Sequence, residues 1–96
     1  MRGWRAAALA IPADVTDAAS VERLAAATHE RCGDVRLLVN NAGIEVAGFS
    51  WNVAPQVWER ALRVNVLGVV HGIRAFLPRM LARAIPAYVA NLASLA

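Results

Sequence analysis

The chain has 96 residues, 58% of them hydrophobic, and a formal net charge of +3. That much apolar material supports one small core, so residues 1–96 are expected to form a single domain at most. The positive charge comes entirely from 10 arginines with no lysine; they are scattered rather than gathered with aromatics into a base-stacking face, which excludes nucleic acid as the expected partner.

In chain order, residues 6–13 form a short apolar run that stops at Asp14-Val15-Thr16-Asp17. This reads as a strand and then a turn whose Thr16 or Asp17 caps the next helix. The start, Met1-Arg2-Gly3-Trp4-Arg5, faintly mimics a signal peptide, but its apolar stretch is short and Asp14 follows at once. The spacing of Val21, Leu24, Ala25 and Thr28 predicts a helix over 18–31, with Glu22, Arg23, Glu30 and Arg31 on its solvated side. Gly33 reads as its left-handed terminator. Cys32, the only cysteine, makes neither an intramolecular disulfide nor a metal site and reads as a small packing residue.

Residues 35–40 form a second apolar run, expected to be a strand buried on both faces as in a parallel sheet. It stops at Asn40-Asn41-Ala42-Gly43, where two amides, a minimal side chain and a glycine let the backbone turn and a ligand approach the main chain. After a loop carrying Phe49 and Trp51, Pro55 suits the first turn of a long helix over 55–83. Trp58, Leu62, Val66, Val69, Ile73, Phe76 and Met80 give that helix a continuous stripe, broadened by Val70 and Leu77. Pro78 is expected to kink or end it near Phe76. His71 and Arg74 interrupt the longest apolar run, so no membrane span is expected. His71 reads as a packed or surface histidine without the neighbours of a metal site, and Trp4, Trp51 and Trp58 read as packing anchors. A last strand over 87–93 leads to Ser94. The order is β-α-β-α-β, an α/β fold with parallel strands and right-handed crossovers.

Several polar residues have ordinary explanations when taken singly. Asp14 serves as a helix-capping carboxylate, Asn65 as an amide satisfying a kinked backbone, and Ser94 as a turn serine. Asn65 is conspicuous because an amide within an apolar helix is costly unless it is bonded. A serine at the carboxyl end of a strand lies where open α/β sheets bind their ligands.

Taken together and in this order, Asp14-Val15, Asn40-Asn41-Ala42-Gly43, Val64-Asn65-Val66-Leu67-Gly68 and Asn91-Leu92-Ala93-Ser94 resemble the short-chain dehydrogenase/reductase family. Phe76-Leu77-Pro78-Arg79-Met80 is also similar to family sequences. The resemblance implies a Rossmann-type, doubly wound parallel sheet and an oxidoreductase using NAD or NADP; a cytoplasmic setting is the default expectation from the single cysteine and the lack of a long apolar run. The implied chemistry is hydride transfer between the nicotinamide and a small-molecule alcohol or carbonyl. Carried over residue by residue, Asp14 and Val15 contact the adenine, and Asn41, Ala42 and Gly43 lie against the ribose. Asn65 orders a proton-relay water, and Ser94 holds the substrate oxygen.

The sequence also departs from the family pattern. None of its 6 glycines lies in a G-x-G-x-x-G phosphate turn. The family's tyrosine–lysine acid/base pair cannot form, because the only tyrosine is Tyr88, position 92 is leucine and lysine is absent. The expectation is a partial slice of the fold, lacking strands 1 and 2 and the C-terminal part, and inactive by itself. In the family's strand order, 3-2-1-4-5-6, strands 6–13 and 35–40 stand about 14 Å apart at ~4.8 Å per strand. Strand 35–40 is then left with one bare apolar edge. It is expected to pair in parallel with 87–93, with strand 6–13 displaced or slid in beside it. The alternative reading is a non-catalytic module that docks on a full-length subunit through helix 55–83. That helix resembles the one family members use for subunit pairing, which also implies a homo-oligomer.

Overall fold

The computed structural model describes residues 8–83 and 85–92. Trp4, Ala93 and Ser94 lie outside these residues, as does the beginning of the run 6–13.

The first helix, α1 (Ala18–Cys32), is capped by Asp17, whose carboxylate accepts a hydrogen bond from the Ala19 amide at 3.0 Å. Of the two capping candidates, Asp17 takes the role, because Thr16 is bound to Asp14 instead. The helix stops at Gly33, whose φ of 83° only glycine adopts without strain. Val21 and Ala25 are buried, and Leu24 and Thr28 flank them half-buried, so the 3.6-residue pattern reports the packed face correctly. Cys32 is exposed. It sits in the last turn, past the point where α1 touches the core, and is not the packing residue expected.

Strand β1 (Leu37–Asn40) pairs in parallel with β2 (Tyr88–Asn91), in the register Leu37↔Tyr88 through Asn40↔Asn91. The expected pairing of 35–40 with 87–93 is thus present, with shorter bounds. The described residues 8–13 form no strand. A lone extended segment keeps strand geometry only with a ladder partner, and the sheet of the described residues has only β1 and β2. Of the two expected placements, pairing beside β1 does not occur among the described residues.

Between the strands runs α2 (Pro55–Leu62), a π-helical turn (Arg63–Leu67) and α3 (Gly68–Leu81). Pro55 occupies the first turn, where a missing N–H costs nothing. The interruption expected at Pro78 does not occur there, since α3 continues to Leu81 and the Ala82 amide still reaches the Pro78 carbonyl at 3.1 Å. Pro78 and Arg74 are both exposed, so the carbonyl freed by the proline faces water. The break lies instead at the π turn, where the Gly68 amide bonds back to the Arg63 carbonyl, five residues earlier.

The core comprises Val21, Ala25, Ala75, Phe76 and Met80, flanked by Val15, Leu24, Val35, Leu38, Leu77 and Ala87. It fills the space between α1, α3 and one face of the sheet. The other face is open, with Leu37 58%, Val39 48% and Tyr88 68% exposed. Burial of the strand on both faces is therefore not realised, because helices cover only one side. Trp51 and Trp58 are exposed too. Trp51 stacks on Phe49, ring centroids 4.9 Å apart, and the Trp58 indole donates to the Ser50 carbonyl. They tie down a surface loop rather than anchor the core.

Candidate functional site

The end of β1 is held by side-chain amides. Asn40 Nδ2 donates to Asn91 Oδ1 at 2.7 Å, tying the ends of the two strands together. The Asn40 amide lies flat on α3 at Gly72, where an added Cβ would overlap Asn40 Oδ1. Glycine is needed here for close approach rather than for a special φ.

Asn65, in the π turn, grips the loop beyond Gly43. Its Oδ1 accepts from the Ile44 amide at 2.8 Å, and its Nδ2 donates to the Ile44 carbonyl at 2.9 Å. This two-point grip satisfies an amide that helical geometry alone would leave idle. Gly43 has no positive φ, and a Cβ there would sit 3.4 Å from Asn65 Oδ1, at ordinary contact distance. The turn after β1 is therefore shaped by the Asn65–Ile44 bonds more than by glycine's conformational freedom.

Asp14 is engaged locally. Its Oδ1 accepts from the Thr16 hydroxyl at 2.7 Å and the Thr16 amide at 2.9 Å. The Thr16 hydroxyl, then its amide, hold the carboxyl below the usual aspartate range, and the charge of Arg60 adds to this. The capping explanation fails, since Asp17 caps α1. Val15 packs its side chain onto Gly68, where an added Cβ would lie 3.0 Å from Val15 Cγ2. The Val15 carbonyl lies 2.7 Å from His71 Nδ1. A carbonyl can only accept, so the proton is on Nδ1.

The reading of His71 as a packed or surface histidine agrees with its half-buried position, but that reading does not anticipate its bond to Val15. Its signal was available in the spacing Gly68-x-x-His71-Gly72, two small residues and a donor on one helical face, all meeting the segment that carries Val15.

These residues surround three hollows. A cavity of about 250 Å³ brings Val15 together with Asn41, Ala42, Gly68 and Val69. An open groove of about 470 Å³ joins Asn41, Ala42 and Gly43 with Asn65 and Leu92. A polar hollow of about 450 Å³ takes Asp14 and Thr16 with Arg60 and Arg63. Val15, Asn41, Ala42, Gly43 and Asn65 thus form one continuous site along the carboxyl end of β1. Asp14 faces the neighbouring polar hollow instead. Ser94 lies outside the described residues, although Leu92, shortly before it, lines the groove with Asn65. Among the described residues, no helix is long and apolar enough to cross a membrane.

Residues 2–96 match the family model of the short chain dehydrogenases. The chain is 34% identical over 88 residues to a CLA biosynthesis dehydrogenase/reductase of Lactiplantibacillus plantarum, covering 92% of this chain and 31% of the relative. It is 40% identical over 88 residues to 3beta-hydroxysteroid dehydrogenase 1 of Eggerthella lenta, covering 92% of this chain and 34% of that protein. Among solved structures, a short chain dehydrogenase/reductase from Burkholderia phymatum in complex with NAD matches with a TM-score of 0.81 and 42% identity, covering 84% of this chain and 29% of that one. The chain therefore spans about a third of the length of the relatives it matches. With its small parallel sheet, crossover helices and matched residues, this chain belongs to the short-chain dehydrogenase/reductase family.

Proposed function

We propose that this chain carries the middle portion of an NAD(P)-dependent oxidoreductase, acting on a small alcohol or carbonyl compound. The observation that carries the reading is the union of Val15, Asn41 and Ala42 around one cavity, continuous with the groove of Gly43 and Asn65. At about 250 Å³, the cavity is smaller than the ~300–1,000 Å³ typical of sites that bury a whole drug-sized ligand. It suits the adenosine part of a dinucleotide, with apolar walls for the flat base and amides at the rim for the sugar hydroxyls. No glycine-rich turn is present to cradle a pyrophosphate. The residues thus fit one half of the cofactor and not the other.

The nicotinamide of such a cofactor would supply the hydride. The chain's own residues bind and position. Val15 and Val69 flank the base and Asn41 to Gly43 meet the ribose, whereas Asp14, in the neighbouring polar hollow, has no path to the base within this cavity. Asn65 spends one N–H and one lone pair on Ile44, which leaves one of each for a relay water. Ser94 hydrogen-bonds the substrate oxygen. General acid/base catalysis contributes ~10²–10⁴-fold, and the tyrosine–lysine pair that provides it in the family is missing from these residues. The 96-residue chain alone is accordingly inactive.

Titration of the labelled chain with AMP, followed by amide NMR, tests the binding reading. Shifts confined to Val15 and Asn41 to Gly43 are expected; shifts elsewhere, or none, would sink it. Turnover of NADH or NADPH with a panel of ketones would refute the inactivity.

A second reading, an interaction module, has its own support in the exposed row of α2 and its continuation. Trp58, Leu62, Val66 and Val70 are 40%, 56%, 52% and 41% exposed along one helical edge. Docking of a second copy or a full-length subunit on that row would appear as an increase in mass by light scattering. Leu62→Arg should abolish it.

A further inference from the structure

The segment that carries Val15 to the cavity has few anchors. Residues 8–13 before it form no strand, so Asp14, Val15 and Thr16 have no ladder to hold them. Among the described residues their hydrogen bonds are nearly all local. The Asp14 amide donates to Ser20 Oγ at 2.9 Å, the Asp17 amide donates to the Asp14 carbonyl at 3.1 Å, and Thr16 binds Asp14 through its amide and its hydroxyl. These bonds join the segment to itself or to the start of α1, and none reaches α3. One bond differs. His71 Nδ1 donates to the Val15 carbonyl at 2.7 Å, across 56 positions of sequence.

Gly68, Val69 and Gly72 of α3 line the cavity together with Val15. Gly68 and His71 lie one helical turn apart, so both meet the same residue. Gly68 receives the Val15 side chain, where an added Cβ would lie 3.0 Å from Cγ2, and His71 holds the Val15 carbonyl. Packing on Gly68 limits how closely the valine approaches the helix, but dispersion alone fixes its orientation weakly. The hydrogen bond supplies the direction. His71 is also placed to keep its proton on Nδ1. It lines a hollow of about 330 Å³ with exposed Glu22 and Arg74, where Nε2 has no protein partner among the described residues and water can serve it. The bond at one ring nitrogen then decides which of the two carries the proton.

We infer that His71 is a positioning residue for the base-binding edge: its Nδ1–H holds the Val15 carbonyl, which keeps the Val15 side chain against Gly68 and sets the width of the cavity. The ring does not itself line that cavity, so it acts on a bound base only through Val15. What the position requires is a donor rather than an aromatic ring. The inference rests on the nucleotide reading and adds the group that fixes its geometry.

The test compares AMP binding by the 96-residue chain with binding by His71→Leu and His71→Asn, read from the amide shifts of Asn41 to Gly43. Leucine keeps the bulk and loses the donor, so affinity should fall about five- to tenfold, the loss of one hydrogen bond. Asparagine carries an amide N–H the same number of bonds from the backbone as Nδ1–H, and affinity should stay within about twofold of wild type. In the nucleotide-free wild type, with the ring neutral, long-range proton–nitrogen spectra should show the proton on Nδ1. A proton on Nε2 would overturn the proposal, since Nδ1 could not then donate to a carbonyl. So would unchanged affinity in His71→Leu, or equal weakening in both variants, which signals lost packing only. If the leucine variant does not fold, the ring spectrum and His71→Asn still decide, and about fivefold weakening by asparagine would overturn it. Failure of the nucleotide reading looks different: wild type itself does not bind AMP, and the positioning role falls with it.

Discussion

Asn65 does more at the residue scale than any other side chain in the site. It connects the π turn to the loop after β1 through both ends of one amide. Asn65→Ala removes two exposed hydrogen bonds, worth about 1 kcal/mol together. The expected result is faster hydrogen exchange at the Ile44 amide, with the α1 amides unchanged. Asn65→Asp keeps the acceptor for the Ile44 amide and loses the donor to its carbonyl, so it should fall between wild type and alanine. Asp14 makes a pH-dependent contribution through the Thr16 bonds that depress its pKa. Because the folded value lies below the unfolded one, the stabilisation is fully present above the ordinary aspartate range and disappears as pH falls through the folded value. Thr16→Val removes the hydroxyl donor, and the Asp14 carboxyl carbon should then titrate at higher pH by NMR.

At the scale of elements, contact between α3 and β1 depends on small residues. Gly72 lets the Asn40 amide lie on the helix, and Gly68 admits Val15. In Gly72→Ala the new methyl meets Asn40 Oδ1. The Asn40–Asn91 bond that joins the strand ends must then shift, and overpacking of this kind costs about 1–3 kcal/mol. The variant should melt lower than wild type and lose protection at the Leu92 amide, which bonds the Asn40 carbonyl. The cap of α1 gives a cleaner case, since Asp17 bonds only its own helix end. Asp17→Ala should destabilise by about 1 kcal/mol without moving the site, as read by urea denaturation together with unchanged amide shifts at Asn41 to Gly43.

At the scale of the whole molecule, the core is thin. Among the described residues its buried members are Val21, Ala25, Ala61, Ala75, Phe76 and Met80, three of them alanine. One sheet face and the α2 row remain exposed. Stability is a small difference between large terms, and so little buried apolar area leaves little margin. Thermal unfolding of the isolated chain should be broad and of low cooperativity by calorimetry. A sharp, cooperative monomeric transition would contradict this. Leu37→Lys puts a charge on the open sheet face, where Leu37 is already 58% exposed. It should reduce light scattering at high concentration with little change in melting temperature.

By itself, the sequence determined whatever depends on neighbours along the chain. The packed face of α1 followed from helical periodicity, and its end followed from Gly33. Pro55 marked the start of the crossover. The apolar run stopping at Asn40-Asn41-Ala42-Gly43 announced the strand end, and the order of motifs carried the family resemblance. Tertiary structure decided what depends on partners distant in sequence. Residues 8–13 have strand-like composition, yet a strand exists only where another offers its backbone groups, and none does so here among the described residues. The long helix breaks at Arg63–Leu67 rather than at Pro78. A proline near an exposed helix end frees a carbonyl that water satisfies, whereas Asn65 must turn to meet Ile44. The same reason explains His71 and Asp14: their roles are set by Val15 and Thr16 in space, through hydrogen bonds that composition and periodicity do not encode. The sequence thus carried the ancestry, and the packing decided which of the candidate residues meet.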